Sequence, residues 1–153
     1  PAGPLGPDLA LRASVTASST YPGYAAEHVA DGRTTTQLGG DHSWANAENS
    51  TLPQWLELHL AAPQAIGRVD LYTTSGYELQ NYRIQTWDGS GWQDVAAVAG
   101  NTFAYRAHTF GQVQCARLRV LCERGPARQP EYVRINEVGI YPPARAGCPE
   151  SSG

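Results

Sequence analysis

A chain of 153 residues suits one domain, since a domain of about 150 residues buries roughly 68–70% of its unfolded surface around a single core. With 41% hydrophobic residues, 16% charged residues and a formal net charge of -3, neither a disordered chain nor a nucleic-acid-binding surface is expected. There is no run of about 18 apolar residues and no basic start leading into an apolar stretch, so neither a membrane span nor a retained signal peptide is expected.

Residues 1–8 are rich in Pro and Gly and read as a linker, and residues 142–153 read as a linker or tail. The expected domain is therefore 9–141, flanked as a module of a longer chain would be. Between these ends apolar residues alternate with period two and helical spacing is almost absent, which predicts an all-β fold. Leu11 to Ser18 reads as the first strand and stops at Tyr21-Pro22-Gly23-Tyr24; one helical turn fits at Ala25 to Val29. A turn at Asp31-Gly32 follows, then a long irregular stretch from Gln37 to Pro53, of the kind that has a functional or core-covering job.

Leu56, Leu58 and Leu60 alternate with Trp55, Glu57 and His59 as a half-buried strand, and Ile66, Val69 and Leu71 start the next. A hairpin runs from Tyr82 to Trp87, turns at Asp88-Gly89-Ser90-Gly91 and returns through Trp92, which reads as buried, to Val95. His108 to Val113 and Ala116 to Cys122 read as two further strands. In the last run, Tyr132 to Tyr141, the apolar set shifts from odd positions (Val133, Ile135) to even ones (Val138, Ile140). Strict alternation cannot do this, so a bulge or break is expected near Asn136-Glu137. About eight such strands joined by loops predict a two-sheet antiparallel β-sandwich, or jelly roll.

Cys115 and Cys122 lie seven residues apart on one expected strand, too far to bridge at about 3.3 Å per residue. With Cys148 in the tail they make neither a disulfide framework nor a zinc site. The chemistry with the clearest address is that of a hard cation. The Asp31 turn offers a carboxylate, hydroxyls and carbonyls in a small volume, and a calcium shell of six or seven oxygens needs a distant carboxylate to complete it. Glu137, set between apolar positions and re-aimed by the break, is the expected partner; the alternative is a salt bridge to Arg134 or another arginine.

The ordered pieces Ala13-Ser14-Val15-Thr16-Ala17-Ser18-Ser19, Ala30-Asp31-Gly32, Pro53-Gln54-Trp55-Leu56-Glu57-Leu58, Tyr82-Arg83-Ile84-Gln85, Trp87-Asp88-Gly89 and Arg134-Ile135-Asn136-Glu137-Val138-Gly139-Ile140-Tyr141 resemble the discoidin, or coagulation factor 5/8 type C, family. Within it the chain looks most like the bacterial galactose-binding-like carbohydrate-binding modules carried by secreted glycan-active enzymes. That resemblance implies a galactose-binding-domain-like jelly roll and a structural calcium held by Asp31, Thr36, Glu137 and the carbonyls of Ala30 and Arg33 or Thr34. It also implies an extracellular, non-catalytic module, expected to be monomeric, that tethers a covalently linked catalytic domain to its glycan.

Sugars are held by an aromatic ring under the apolar pyranose face, with a few planar polar groups on the hydroxyls. The loop residues of that type are Tyr24, His42, Trp44, Tyr77, Asn81, Tyr105 and Arg128; Trp44 either stacks on a sugar or belongs to the core. The resemblance implies a histidine from the first long loop, which His42 supplies, and an arginine in the loop after Val69 to Thr73. That loop, Thr73-Thr74-Ser75-Gly76-Tyr77-Glu78, has no arginine, so the chain departs there from the terminal-galactose pattern. The four histidines fall on separate elements without a hydrolase motif, so no catalytic site is expected. The alternative class is an adhesion module for protein or phospholipid; polar loop tips without apolar spikes make a membrane partner the less expected of these.

Overall fold

The computed structural model describes residues 6–144. Cys148 and nearly all of the expected tail lie outside these residues. Eight strands are formed within them: β1 (Ser14–Ala17), β2 (Trp44–Ala45), β3 (Gln54–Tyr72), β4 (Asn81–Trp87), β5 (Trp92–Val98), β6 (Tyr105–Arg124), β7 (Arg134–Ile135) and β8 (Glu137–Tyr141). All their pairings are antiparallel, and the fold is the expected all-β sandwich. Short 3-10 turns at Leu9–Arg12, Ala26–Ala30 and Gly40–His42 punctuate the loops. The first of these corrects the sequence reading, in which Leu11 opened a strand; Leu11 is on a turn and 52% exposed.

Two long strands build the sandwich. β3 and β6 each read as two strands in the sequence, yet each is continuous and runs through both layers. Their first shared segment pairs Gln54–His59 with Arg117–Cys122, and their second pairs Gln64–Tyr72 with Tyr105–Cys115. Between the segments Leu60 to Pro63 oppose the single residue Ala116, and further on Gly67 alone opposes Phe110, Gly111 and Gln112. Extra residues of this kind bend and twist a strand and re-aim its side chains. The bend explains why β1 pairs with the first half of β3 while β8 pairs with the second. One layer is thus β1-β3-β6-β4-β5 and the other β8-β3-β6.

Both halves face one core. Leu56 and Leu58 from the first half of β3 join Ile66, Val69 and Leu71 from the second, with Ile84, Leu118, Val120, Val138 and Ile140. Burying each such aliphatic side chain contributes about 1.5–3 kcal/mol, so the inward faces of these strands carry most of the stability. Cys115 and Cys122 are buried, free and in register with different partners on β3.

The shift of phase in the last run is a break. β7 pairs with β2 in a small separate ladder, and after Asn136 the chain changes partner and enters the sandwich as β8 beside β3. Asp8, read as linker, belongs to the fold: its Oδ1 accepts from Ala10 N at 3.0 Å and from Ile140 N at 3.0 Å, tying the first turn to the last strand. Trp92 is a second correction. It sits half-buried on the outer face of the larger layer, edge-on to Trp87 at 5.4 Å, with Arg119 4.4 Å from its ring centre.

Candidate functional site

The loops at one end of the sandwich are fastened by Asn136, at the break between β7 and β8. Its Oδ1 accepts from Ser43 Oγ at 2.7 Å and Thr74 Oγ1 at 2.8 Å, and its Nδ2 donates to the carbonyls of Thr35 and Gln37, both at 2.9 Å. One buried amide therefore meets its full complement of partners across three loops. Asn46 does the same for the later loop, donating to Glu131 O and Ser50 Oγ and accepting from Val133 N at 2.8 Å. These amides hold the segments that carry both candidate sites.

The first site is the early bend. The 3-10 turn Ala26–Ala30 ends on Asp31, and Gly32 takes a positive φ of 86°, a backbone conformation that L side chains rarely adopt. Gly32 N then donates to Glu137 Oε2 at 2.8 Å, joining positions 105 apart in the chain. Glu137 is 1% exposed and its Oε1 is buried with no partner. Burial, with the nearby charge of Asp31 adding to it, pushes the Glu137 carboxyl up to about 9, against the Gly32 amide, which lowers it. Arg134 does not pair with Glu137, contrary to the salt-bridge alternative; it turns to the cleft described below.

A carboxylate with an orphan buried oxygen, facing a second carboxylate, needs a proton or a cation. The residues fit a hard divalent ion on that ground. Two carboxylates supply oxygen donors, the chemistry of calcium rather than that of zinc; among the described residues no three His, Cys, Asp or Glu side chains gather. Of the other expected ligands, Ala30 closes the turn before Asp31, Arg33 N donates to Asp31 Oδ1 at 3.0 Å, and Thr36 is tied by its carbonyl to Ser75 N at 2.8 Å.

The second site is a cleft of about 230 Å³ lined by Tyr21, Tyr24, Ala45, Gln129, Tyr132 and Arg134. Tyr21 stands edge-on between Tyr24, 5.6 Å away, and Tyr132, 6.2 Å away. The Arg134 guanidinium lies 5.7 Å from the Tyr24 ring centre and 5.1 Å from that of Tyr77, while Arg128 lies 5.4 Å from Tyr77. Arg134 Nη2 donates to Gln129 Oε1 at 3.0 Å and its Nε is buried without a partner. Aromatic walls with an arginine and an amide between them can hold a sugar ring and its hydroxyls.

Of the residues expected to bind a sugar, the fold brings together Tyr24, Tyr77 and Arg128. The other four are elsewhere. Trp44 is fully buried in the core, its Nε1 donating to Ser19 O at 2.9 Å, so it has no face to offer. His42 is only 8% exposed; Nε2 bonds the Gln37 carbonyl at 2.8 Å, and Nδ1 lies 2.9 Å from Asp41 Oδ1 but out of line for a hydrogen bond. Asn81 Oδ1 anchors Gly100 N at 3.0 Å, and Tyr105 packs on Tyr72 with its hydroxyl on Asp70, outside the cleft. Tyr132, Gln129 and Arg134 were missed because they read as a turn and the start of a strand. The signal available was the spacing Gln129, Tyr132, Arg134 following the Gly125-Pro126 turn.

The family model described as the NedA-like, galactose-binding domain matches residues 28–120. The chain belongs to this family. The NedA-like match takes in the early bend, Trp44, β3 to β5 and most of β6; of the residues lining the cleft it takes in Ala45. Among solved structures the chain is similar to chitosan-binding module 1 of a chitosanase/glucanase from Paenibacillus sp. IK-5, with 27% identity, a TM-score of 0.71 and coverage of 88% of this chain and 98% of that one. Module 2 of the same enzyme, in complex with chitotriose, gives 26% identity, a TM-score of 0.73 and coverage of 88% and 99%. The family 32 CBM of C. perfringens NanJ, in complex with galactose, shares the fold at 18% identity and a TM-score of 0.71, covering 87% and 96%. No curated protein matches the chain.

Proposed function

We propose that this NedA-like domain is a non-catalytic carbohydrate-binding module that holds a saccharide in the tyrosine-walled cleft. The observation that carries the reading is the cleft itself: three tyrosines, an arginine and a glutamine converge on a volume of about 230 Å³, enough for a monosaccharide unit. Its relatives' ligands, chitotriose and galactose, support the ligand class. A small polar ligand buries little area, so single-site affinity falls in the millimolar to micromolar range. Such weak binding gains through effective concentration when the module is joined to an enzyme that acts on the same polymer. Attachment to a glycan-active enzyme, and hence an extracellular setting, belong to this proposal; the parent gene tests them by encoding a glycosidase or lyase domain, or not.

The proposal includes a structural calcium ion at Asp31 and Glu137. It would neutralise two facing carboxylates and hold the early bend to β8, supplying stability and no reaction chemistry. A glycan array followed by calorimetry tests the binding function. Reproducible binding to one sugar class, abolished in Tyr24→Ala, supports it. Silence across glycans together with binding to phosphatidylserine vesicles contradicts it and favours the adhesion class.

A further inference from the structure

Arg134 differs from the paired arginines of this chain. Arg33, Arg68, Arg83 and Arg117 each meet a carboxylate within ion-pair distance, the shortest contacts being 2.6 Å for Arg83 with Asp94 and 2.7 Å for Arg68 with Asp70 and Arg117 with Glu57. Among the described residues Arg12, Arg106, Arg119, Arg124, Arg128 and Arg134 meet none, and of these it is Arg134 that lines the cleft. Arg134 is half-buried, and its single hydrogen bond among the described residues goes to the neutral amide of Gln129. A partly buried guanidinium with unspent donors is costly, because its charge is neither hydrated as in bulk water nor balanced. Rings on either side, Tyr24 and Tyr77, hold it in place, and Arg128 adds a second cation on the same ring of Tyr77.

An arginine held between aromatic rings is arranged for a planar, two-oxygen acceptor, which the guanidinium fork meets with two parallel hydrogen bonds. Neutral sugars lack such a group, and an amino sugar would bring an ammonium toward two cations. Glu48 and Glu131 act on the Tyr132 hydroxyl, but both are exposed and neither reaches Arg134 within ion-pair distance. We propose that the cleft takes a carboxylate-bearing saccharide, its acid group on Arg134 and its ring against the tyrosines, with Arg128 adding long-range attraction. This rests on the reading of the cleft as a saccharide site and specifies its substrate class.

The test is calorimetry with trisaccharides ending in galacturonate, glucuronate or sialate, each beside its methyl ester, with chitotriose and galactose alongside. A hydrogen-bonded charge pair gives roughly ten-fold or more in affinity, so at least one acid should exceed its own ester by that factor. That advantage should shrink as salt is raised. Within Arg134→Met the acid should lose its advantage and bind at the level of its own ester. Arg128→Met, at an exposed position, should lower acid binding several-fold if Arg134→Met fails to fold. Acids binding no better than their esters, while chitotriose or galactose binds and Tyr24→Ala abolishes it, would overturn the acidic class and leave the saccharide site standing. No binding by any of the panel would overturn both.

Discussion

Asn136 shows how one side chain sets the position of a whole end of the molecule. Its four side-chain hydrogen bonds are all made inside the protein, so Asn136→Ala leaves hydroxyls and carbonyls of three loops without partners. At about 1–3 kcal/mol for each buried group left unsatisfied, the variant should lose about 3 kcal/mol or more in chemical denaturation; a loss below about 1 kcal/mol would contradict the role given to it. His108 provides a pH signature. Tyr82 Oη donates to its Nε2 at 2.7 Å and its Nδ1 donates to Val69 O at 2.9 Å, which fixes a neutral ring, and burial holds its pKa below the ordinary 6.5. The unfolded chain therefore takes up this proton first as pH falls. Stability is intact above the unfolded value and declines below it, and His108→Gln should flatten that decline in melts recorded across mildly acidic pH. Side chains of this kind were only partly legible in the sequence. Tyr24, Tyr77 and Arg128 were found because loop aromatics and arginines are rare enough to notice, whereas Trp44 and His42 are in loops too and turn inward, a direction that periodicity does not encode.

Strands were more legible than their continuity. Alternation placed β3, β4, β5 and β6 within a few residues, but Leu60 to Pro63 read as the end of a strand when it is a bend within one, and the bend at Phe110 to Gln112 lies inside what read as a single strand, His108 to Val113. The period-two signal reports which face is inward, and a strand that passes from one layer to another resets that phase without stopping. The Trp92 phase was misread for a related reason: Arg117 and Arg119 lie over the tryptophans and cover an outer face that composition alone would place inside. Trp92→Ala should therefore reduce stability by about 1–2 kcal/mol through lost stacking and cover, while saccharide affinity stays unchanged. The loop after β6 makes the opposite case. Gly125 donates its amide to Pro130 O at 2.9 Å, and a Cβ there would overlap the Tyr132 carbonyl. Gly125→Ala must push away the segment that carries Gln129 and Tyr132. It should cost about 1–3 kcal/mol and weaken binding as well, measured by melting and calorimetry on the same sample.

Across the molecule, the fastenings that join early chain to late chain include Asp8 to Ile140 and Gly32 to Glu137. The second is the proposed calcium position, and binding to the folded state alone raises stability by mass action. Chelation, or Asp31→Ala, should lower the melting temperature by several degrees with the β circular-dichroism spectrum intact; identical melts with and without chelator would contradict a bound ion. The meeting of the Asp31-Gly32 bend with Glu137, seen in the Gly32 amide bond, was legible because acidic turns and phase shifts are sequence events. The cleft was not, because it forms only when the Tyr21-Tyr24 loop, the tip of β2 and the Gln129-Arg134 segment meet in space.

The cleft is the centre of the account, and amide and indole NMR spectra recorded during titration with the tightest-binding saccharide test it most directly. Shifts should gather at Tyr21, Tyr24, Tyr77 and Gln129 to Arg134, with the indole signals of Trp87 and Trp92 unmoved. Shifts confined to those tryptophans, or none at saturation, would contradict it.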